Sequence, residues 1–330
     1  MTVATERPSA GTRLRAPIRQ RSRRRGGGPD QGGPDQGGAV RTLVSSAQLR
    51  RGHSRAVYFT VLAVTGVLFL LTFFFPLYWM VSGALKAPAE LALSTPTFIP
   101  RTFHPETYAK AWSELNLGRH FLNTALYALG GWLIQITVDV GVAYALSKLR
   151  PVLGRLVLGL MLVSLMLPAT ALLVPTYLTV ADVPIFERNL LNTPWALWLP
   201  AAANTFNIYV LKRFFDQIPQ DLLDSASLDG AGRLRVLWSI VLPLSRPVLA
   251  VVSIFAVVGM WKDFLWPLLV LQDPEIQTLS VALSRFAATG RVPINEMLAG
   301  LVIASVPMIV IFLLFQRSIV KGLSAGALKG

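Results

Sequence analysis

Asp139, Asn204, Asn207, Lys262 and Asp263 are polar side chains inside otherwise apolar stretches of this sequence. Such groups are costly in hydrocarbon, so where they occur they face a protein interior or a watery path and handle something polar. The residue sets for covalent or metal chemistry are missing. There is no cysteine, which excludes disulfides and thiolate metal sites. His53, His104 and His120 are scattered without metal-ligand spacing and read as surface residues. No Ser/His, paired-Asp or His-x4-His-like arrangement supports an intramembrane enzyme. No Gly-x4-Gly-Lys-Ser/Thr loop is present to cradle nucleotide phosphates. The chemistry on offer is recognition, not bond-making, and no cofactor is implied.

The elements that must position these groups are membrane helices. Of 330 residues, 53% are hydrophobic and 15% charged, where soluble domains carry about 25% charged residues. Crossing a hydrocarbon core of about 30 Å takes about 20 apolar residues. Six stretches are long enough: 57–85, 121–146, 156–180, 190–211, 248–271 and 297–315. Backbone in lipid must satisfy its own hydrogen bonds, so the expected fold is all-α, a polytopic bundle of six transmembrane helices. Pro168, Pro175, Pro200, Pro267 and Pro307 interrupt the last four spans. Each removes a donor and bends its helix. Two readings stand for each: a hinge in a bundle that opens and closes, or a proline of the kind common in membrane helices. Asp263 lies about 15 residues, roughly 22 Å, past Val248, in the outer half of the fifth span. Lys262 can snorkel outward, and Asp139 lies toward the inner end of the second span.

The formal net charge is +14, but its distribution argues against nucleic acid. Twelve arginines precede Val57 against Glu6, Asp30 and Asp35, a net of +9 in the tail. Residues 1–56, with a repeated Gly-Gly-Pro-Asp-Gln unit, hold too few apolar groups to offset ordering and read as a disordered, basic, cytoplasmic tail that can touch anionic lipid. Ser22-Arg-Arg-Arg25 is not an export signal, because the apolar block begins too far downstream and is too long. Residues 57–330 form the membrane domain. Counting Lys and Arg beside the spans gives eleven on one side and seven on the other, the seven balanced by acids. The positive-inside rule then places both termini in the cytoplasm.

Between the fourth and fifth spans, on that inner side, residues 212–246 are too long for a turn. Pro219 suits a first helical position. Asp221 and Asp224 suit the positive end of a helix dipole. Leu222, Leu223 and Ala226 share a face, and Gly230 suits the left-handed residue that ends a helix. A second helix, 233–241, follows and Pro243 stops it. Small residues at Ser225, Ala226, Gly230 and Ala231 let a partner surface approach closely. A lipid-lying helix would instead pair large apolar residues with Lys and Arg.

This loop resembles the EAA signature of binding-protein-dependent ABC importer permeases: Glu-Ala-Ala, three residues, Gly, nine residues, Ile, one residue, Leu-Pro. Asp224-Ser225-Ala226 stand at Glu-Ala-Ala, followed in register by Gly230, Ile240 and Leu242-Pro243. Asp replaces Glu and Ser replaces Ala. Phe214-Phe-Asp-Gln-Ile-Pro219, Trp261-Lys-Asp-Phe-Leu-Trp-Pro-Leu268 and the terminal Lys321-Gly-Leu-Ser-Ala-Gly-Ala-Leu-Lys-Gly330 are similar to the MalG-like branch of carbohydrate permeases, with Lys262 where the family usually has Asn. The resemblance runs from about Val57 to the end.

It implies a multi-pass bacterial plasma-membrane subunit that hydrolyses nothing itself. Its implied partners are a cytoplasmic ABC ATPase dimer, a second MalF-like permease and an extracytoplasmic sugar-binding protein. The ATPase-coupling residues it implies are Asp224, Ser225, Ala226, Asp229, Gly230, Ala231, Ile240, Leu242 and Pro243. Substrate-pathway residues are Asp139, Asn204, Asn207, Trp261 and Asp263. Trp261 and Trp266 suit either stacking on a sugar or the interfacial aromatic belt. A glycerol-phosphate or other polyol cargo is the alternative, with only Lys262 pointing to it. A secondary transporter would show an inverted repeat, and none is evident.

Overall fold

The computed structural model describes residues 52–184 and 188–327, with side chains from 55 to 316. Most of the basic tail, and the side chain of His53, lie outside the described residues. The chain divides into two units, Met1–Val64 and Thr65–Gly330. Helix α1, Gly52–Ala84, starts ahead of the boundary expected at Val57. Its added residues include Arg55, whose guanidinium lies 5.8 Å from the Phe59 ring centroid.

After α1 come α2 (Glu106–Glu114) and α3 (Leu117–Tyr144), the latter running on through a π turn, Ala145–Leu149. Then follow α4 (Gly154–Ser164), α5 (Leu173–Ala181), α6 (Thr205–Asp216) and α7 (Gln220–Leu228). The rest are α8 (Arg233–Leu244), α9 (Arg246–Lys262), α10 (Leu265–Val270), α11 (Leu279–Thr289) and α12 (Ile294–Ala327). The described residues are helical and irregular, with one isolated bridge between Val183 and Arg188.

Three stretches are long and apolar enough to cross a membrane unbroken: Arg55–Ala84, Leu117–Leu149 and Ile294–Gln316. The other expected spans are interrupted. In the third, the helices on either side of residues 165–168 meet at 102°, where extended Pro168 cannot donate to the ladder. The fourth is not one helix. A single turn, Trp195–Trp198, ends ahead of Pro200, and α6 starts afresh at the cap Asn204. The fifth breaks at extended Asp263, not at Pro267. Pro267 sits in the first turn of α10, where its missing donor costs nothing. Pro307 lies within a continuous α12.

In hydrocarbon, burying apolar area gains little, and helices associate through close packing. Much of α1 is apolar and exposed, Phe73 at 65% for example. The central rod is α3, which packs against both α6 and α9. At Gly130 a Cβ would collide with the indole of Trp198, and at Gly131 it would lie 2.7 Å from the Met260 sulfur. One buried cluster joins α2, α11 and α12 through Ala111, Leu115, Leu279, Leu283 and Ala299. His120, expected at the surface, is buried there with Nδ1 3.1 Å from the Gln277 carbonyl.

The segment after α1 folds back on that helix. Tyr78 and Ser82 both donate to the Phe98 carbonyl, at 2.7 and 2.9 Å. Lys86, fully buried, donates to the Thr97 carbonyl and lies 4.6 Å from the Trp79 ring centroid. Glu90 accepts from the Thr97 hydroxyl and from the Arg101 N–H. The Thr97 hydrogen bond leads in holding the Glu90 carboxyl below its ordinary 4.5, against the opposing effect of burial. A lowered folded value means the clasp contributes fully above 4.5 and is lost as pH falls below it. Amide exchange at Arg101 should therefore quicken, relative to its intrinsic rate, in acid. Glu90→Gln should show that loosening already at pH 7; unchanged protection would refute the clasp.

Candidate functional site

Residues 212–246 fold as the expected helix, turn and helix. Pro219 is the extended residue before α7, not its first helical residue, so its ring closes off the preceding segment. Asp221 lies in the first turn, and Asp224 accepts from the Gln220 side chain at 3.0 Å. The far end of α7 is fully bonded. Gly230 takes φ +78°; its N–H donates to Ser227 at 3.0 Å, and the Ala231 N–H reaches back to Ala226 at 2.9 Å. These are the two bonds of a Schellman end, which needs a left-handed residue at the Gly230 position.

Leu223 points inward, joining Ile208, Leu211, Phe215, Val236, Leu237 and Val241 in a buried cluster. Ala226, Ala231, Ile240 and Leu242 pack against the same cluster. Two of the four small residues expected to meet a partner thus meet the core. Asp224, Ser225, Asp229 and Gly230 face outward. The three most exposed large apolar residues of the elbow join them: Leu228, 90% exposed, with Leu234 and Trp238. Sequence reading passed over these three. Their signal is a short helix apolar on both sides, Val236, Leu237 and Val241 inward, Leu234 and Trp238 outward. The expected stop at Pro243 is displaced: α8 continues to Leu244, and the chain turns by 84° at buried Ser245.

The C-terminal end of α3 grips this elbow on both flanks. The Lys148 ammonium donates to the Ile218 carbonyl just before α7, at 2.9 Å. The Tyr144 hydroxyl donates to the Arg233 carbonyl just after it, at 3.0 Å. Ser147 donates to Asp216 at 2.7 Å, and Lys212 pairs with the other Asp216 oxygen at 2.7 Å. Burial opposes ionisation of Asp216, but the hydrogen bonds from Lys212 and Ser147 outweigh it and hold the carboxyl below its ordinary value. The π turn in α3 falls across Ser147 and Lys148, and such turns recur at functional positions.

The polar residues expected along a pathway separate into three places. Asp139, Asn204 and Asn207 come together at the start of α6. The fully buried Asp139 accepts the Asn204 N–H at 2.8 Å, and the Asn204 side chain accepts the Asn207 N–H at 3.1 Å. A carboxylate at a helix N-terminus is favourably placed against its dipole. Trp261 is buried edge-on to Phe121, centroids 5.3 Å apart, and Lys262 is exposed. Asp263 alone of the five lines a cavity.

That cavity has a volume of about 250 Å³ and lies where the three broken spans meet. Its walls come from 169–176, 198–201 and the Asp263 break, with Tyr127 of α3 and Thr278 at the cap of α11. Irregular backbone at membrane depth is tolerated where it is buried in protein or lines such a space. Trp198 and Trp266 line it with their indole N–H groups already committed, to the Tyr127 carbonyl at 3.1 Å and the Ala196 carbonyl at 3.0 Å.

Residues 139–325 match the family model described as "Binding-protein-dependent transport system inner membrane component". The chain is 33% identical over 270 residues to protein LplC of Bacillus subtilis (strain 168), covering 77% of this chain and 89% of that protein. It is 30% identical to the diacetylchitobiose uptake system permease protein NgcG of Streptomyces coelicolor, covering 77% and 83%. Its fold is similar to a chain in the crystal structure of a bacterial ABC transporter involved in import of the acidic polysaccharide alginate. That likeness has a TM-score of 0.70 at 23% identity and covers 84% of this chain and 99% of the other.

Proposed function

The chain belongs to the family of binding-protein-dependent transport system inner membrane components, and from that premise we propose that it is the permease subunit of an ATP-binding-cassette importer for a sugar or oligosaccharide. It sits in the bacterial plasma membrane and catalyses no reaction itself. An extracytoplasmic binding protein delivers the solute, a second permease completes the pathway, and a cytoplasmic ATPase dimer supplies the work. Both termini and the elbow lie on the cytoplasmic side, as the Lys and Arg distribution favours.

The observation that carries this reading is the elbow: a capped helix, held at both flanks to the central rod, offering Leu228, Leu234 and Trp238 on its free side. Among the described residues nothing covers these apolar side chains, which project from a charged loop. A cleft on the ATPase, receiving Asp224, Ser225, Asp229 and Gly230 with those three side chains, covers them. Movement of the ATPase then pushes α7, and the mount passes the push to α3. Solute crosses by the cavity at Asp263. Asp139, Asn204 and Asn207, expected along that path, lie away from the cavity and fix the start of α6 instead. A phosphorylated polyol is the alternative cargo; Lys262, which pointed to it, is exposed and is not among the residues lining the cavity.

The chain has no cysteine, so Ser225→Cys gives a single reporter on the exposed face. In cells carrying the whole transporter, a bifunctional thiol–amine reagent should join that cysteine to the ATPase subunit. Labelling by a membrane-impermeant maleimide added outside intact cells would refute the placement.

A further inference from the structure

We propose that the cavity at the three helix breaks is a sugar subsite belonging to this chain, built for one uncharged ring and unfavourable to an anionic one. The proposal rests on the sugar-importer reading and names what this half of the pathway touches.

The first observation is Thr278. It occupies the N-cap position of α11, where a threonine hydroxyl normally accepts from the first turn of the helix. Here it makes no such bond. The residue is 2% exposed, its Oγ1 has no hydrogen-bond partner, and it lines the cavity. An unpaired buried hydroxyl is destabilising unless something fills its place. The oxygen itself is covered here, and a small yielding of the wall would let a hydroxylated ligand in the cavity do so.

The second observation is the pairing of Asp263 with two indoles. Carboxylates accept two hydroxyl hydrogens readily. Trp198 and Trp266 have no N–H left to offer, so their contribution is the ring itself. Ring planes held by backbone hydrogen bonds suit the apolar C–H face of a pyranose, which is the part of a sugar that prefers an aromatic surface. The cavity volume, about 250 Å³, is below the roughly 300–1,000 Å³ of clefts that take drug-sized ligands, which suits a single ring.

The third observation is charge. The lining residues include Asp263 and no Lys, Arg or His. A phosphate ester or uronic acid would meet a like charge with no cation to offset it, and like charges brought together out of water repel strongly.

The test uses the full chain with its co-purifying subunits in nanodiscs, and two probes differing in charge: methyl β-D-glucopyranoside and glucuronic acid. Saturation-transfer NMR reads the ring protons in contact with protein. The expected result is transfer to the neutral glucoside, weaker by about fivefold or more for the acid and in Thr278→Val. Trp266→Leu should lose the transfer as well, and Asp263→Asn should bring the acid up toward the glucoside. Thr278→Val removes an unpaired hydroxyl without changing shape, so it should fold at least as well as the parent. Equal transfer in the parent and Thr278→Val, equal transfer from both probes, or none from the glucoside would each overturn the subsite. The readout needs no ATP. The importer reading fails separately, by the absence of ATP-dependent uptake.

Discussion

Replacing Gly230 with proline is expected to abolish ATP-dependent uptake while the chain still inserts into the membrane. The Gly230 backbone sits at φ +78°, and a proline ring fixes φ near −65°. The change also deletes the N–H that donates to Ser227 and displaces the Ala231 N–H from Ala226. Both bonds that end α7 are lost, and the chain beyond leaves in another direction. Leu234 and Trp238, exposed beyond the turn, then change position relative to Asp224 and Ser225 before it. No apolar span is touched, so insertion and abundance should hold. Gly230→Ala is the graded control. Nothing lies within 4 Å of a Cβ there, so its only cost is the left-handed backbone, about 1–2 kcal/mol. Uptake should fall partially in Gly230→Ala and to background in Gly230→Pro, measured with labelled solute in whole cells alongside immunoblots of membrane fractions. Wild-type uptake in the proline variant would rule out the elbow as the transmission element.

The elbow was readable because its signals are local. A glycine ending a helix and an acid in its first turn are each settled within four or five residues, and the Schellman bonds at Gly230 are what that pattern demands; Pro219 falls one residue earlier than expected, ahead of the helix, and Asp224 lies past the first turn. The continuity of the spans was not readable in the same way. An apolar stretch looks alike whether the backbone is one helix or two joined by a bend. Asp263 breaks the fifth span although a proline stands four residues later, because Pro267 falls where a new helix tolerates it. The cavity residues were only half visible. Asp263 announces itself as a charge in an apolar run, but Thr278 looks like an ordinary helix cap. Only the packing shows that its hydroxyl is unused. Asp139, Asn204 and Asn207 are polar residues of the same kind as Asp263, yet they gather around the start of α6. The deciding fact, that α6 begins there at all, follows from a break that Pro200 suggests but does not position.

Removing both flank bonds of the elbow, in a Tyr144→Phe, Lys148→Met double variant, is expected to separate ATP hydrolysis from transport. Each substitution keeps most of the side-chain volume and deletes one hydrogen bond to the elbow backbone, at Arg233 and at Ile218. A bond from a charged donor contributes about 1.5–3 kcal/mol and one from a neutral hydroxyl about 0.5–1.5 kcal/mol. Their combined loss is large beside the 1.4 kcal/mol that changes a population tenfold. The exposed face of α7 is unaltered, so the ATPase should still dock and hydrolyse. What changes is the stiffness between α7 and α3, and an elbow that pivots on its hydrophobic cluster absorbs a stroke that a clamped one transmits. Solute carried per ATP should fall about tenfold or more, with the ATPase rate within about twofold of the parent. Ser147→Ala, which leaves both flank bonds and the Lys212–Asp216 pair in place, should lie between. A double variant in which transport and hydrolysis decline together would mean that the mount serves folding alone. An unchanged ratio at full activity would mean that the hydrophobic contacts of Leu223 and Val236 carry the stroke without it.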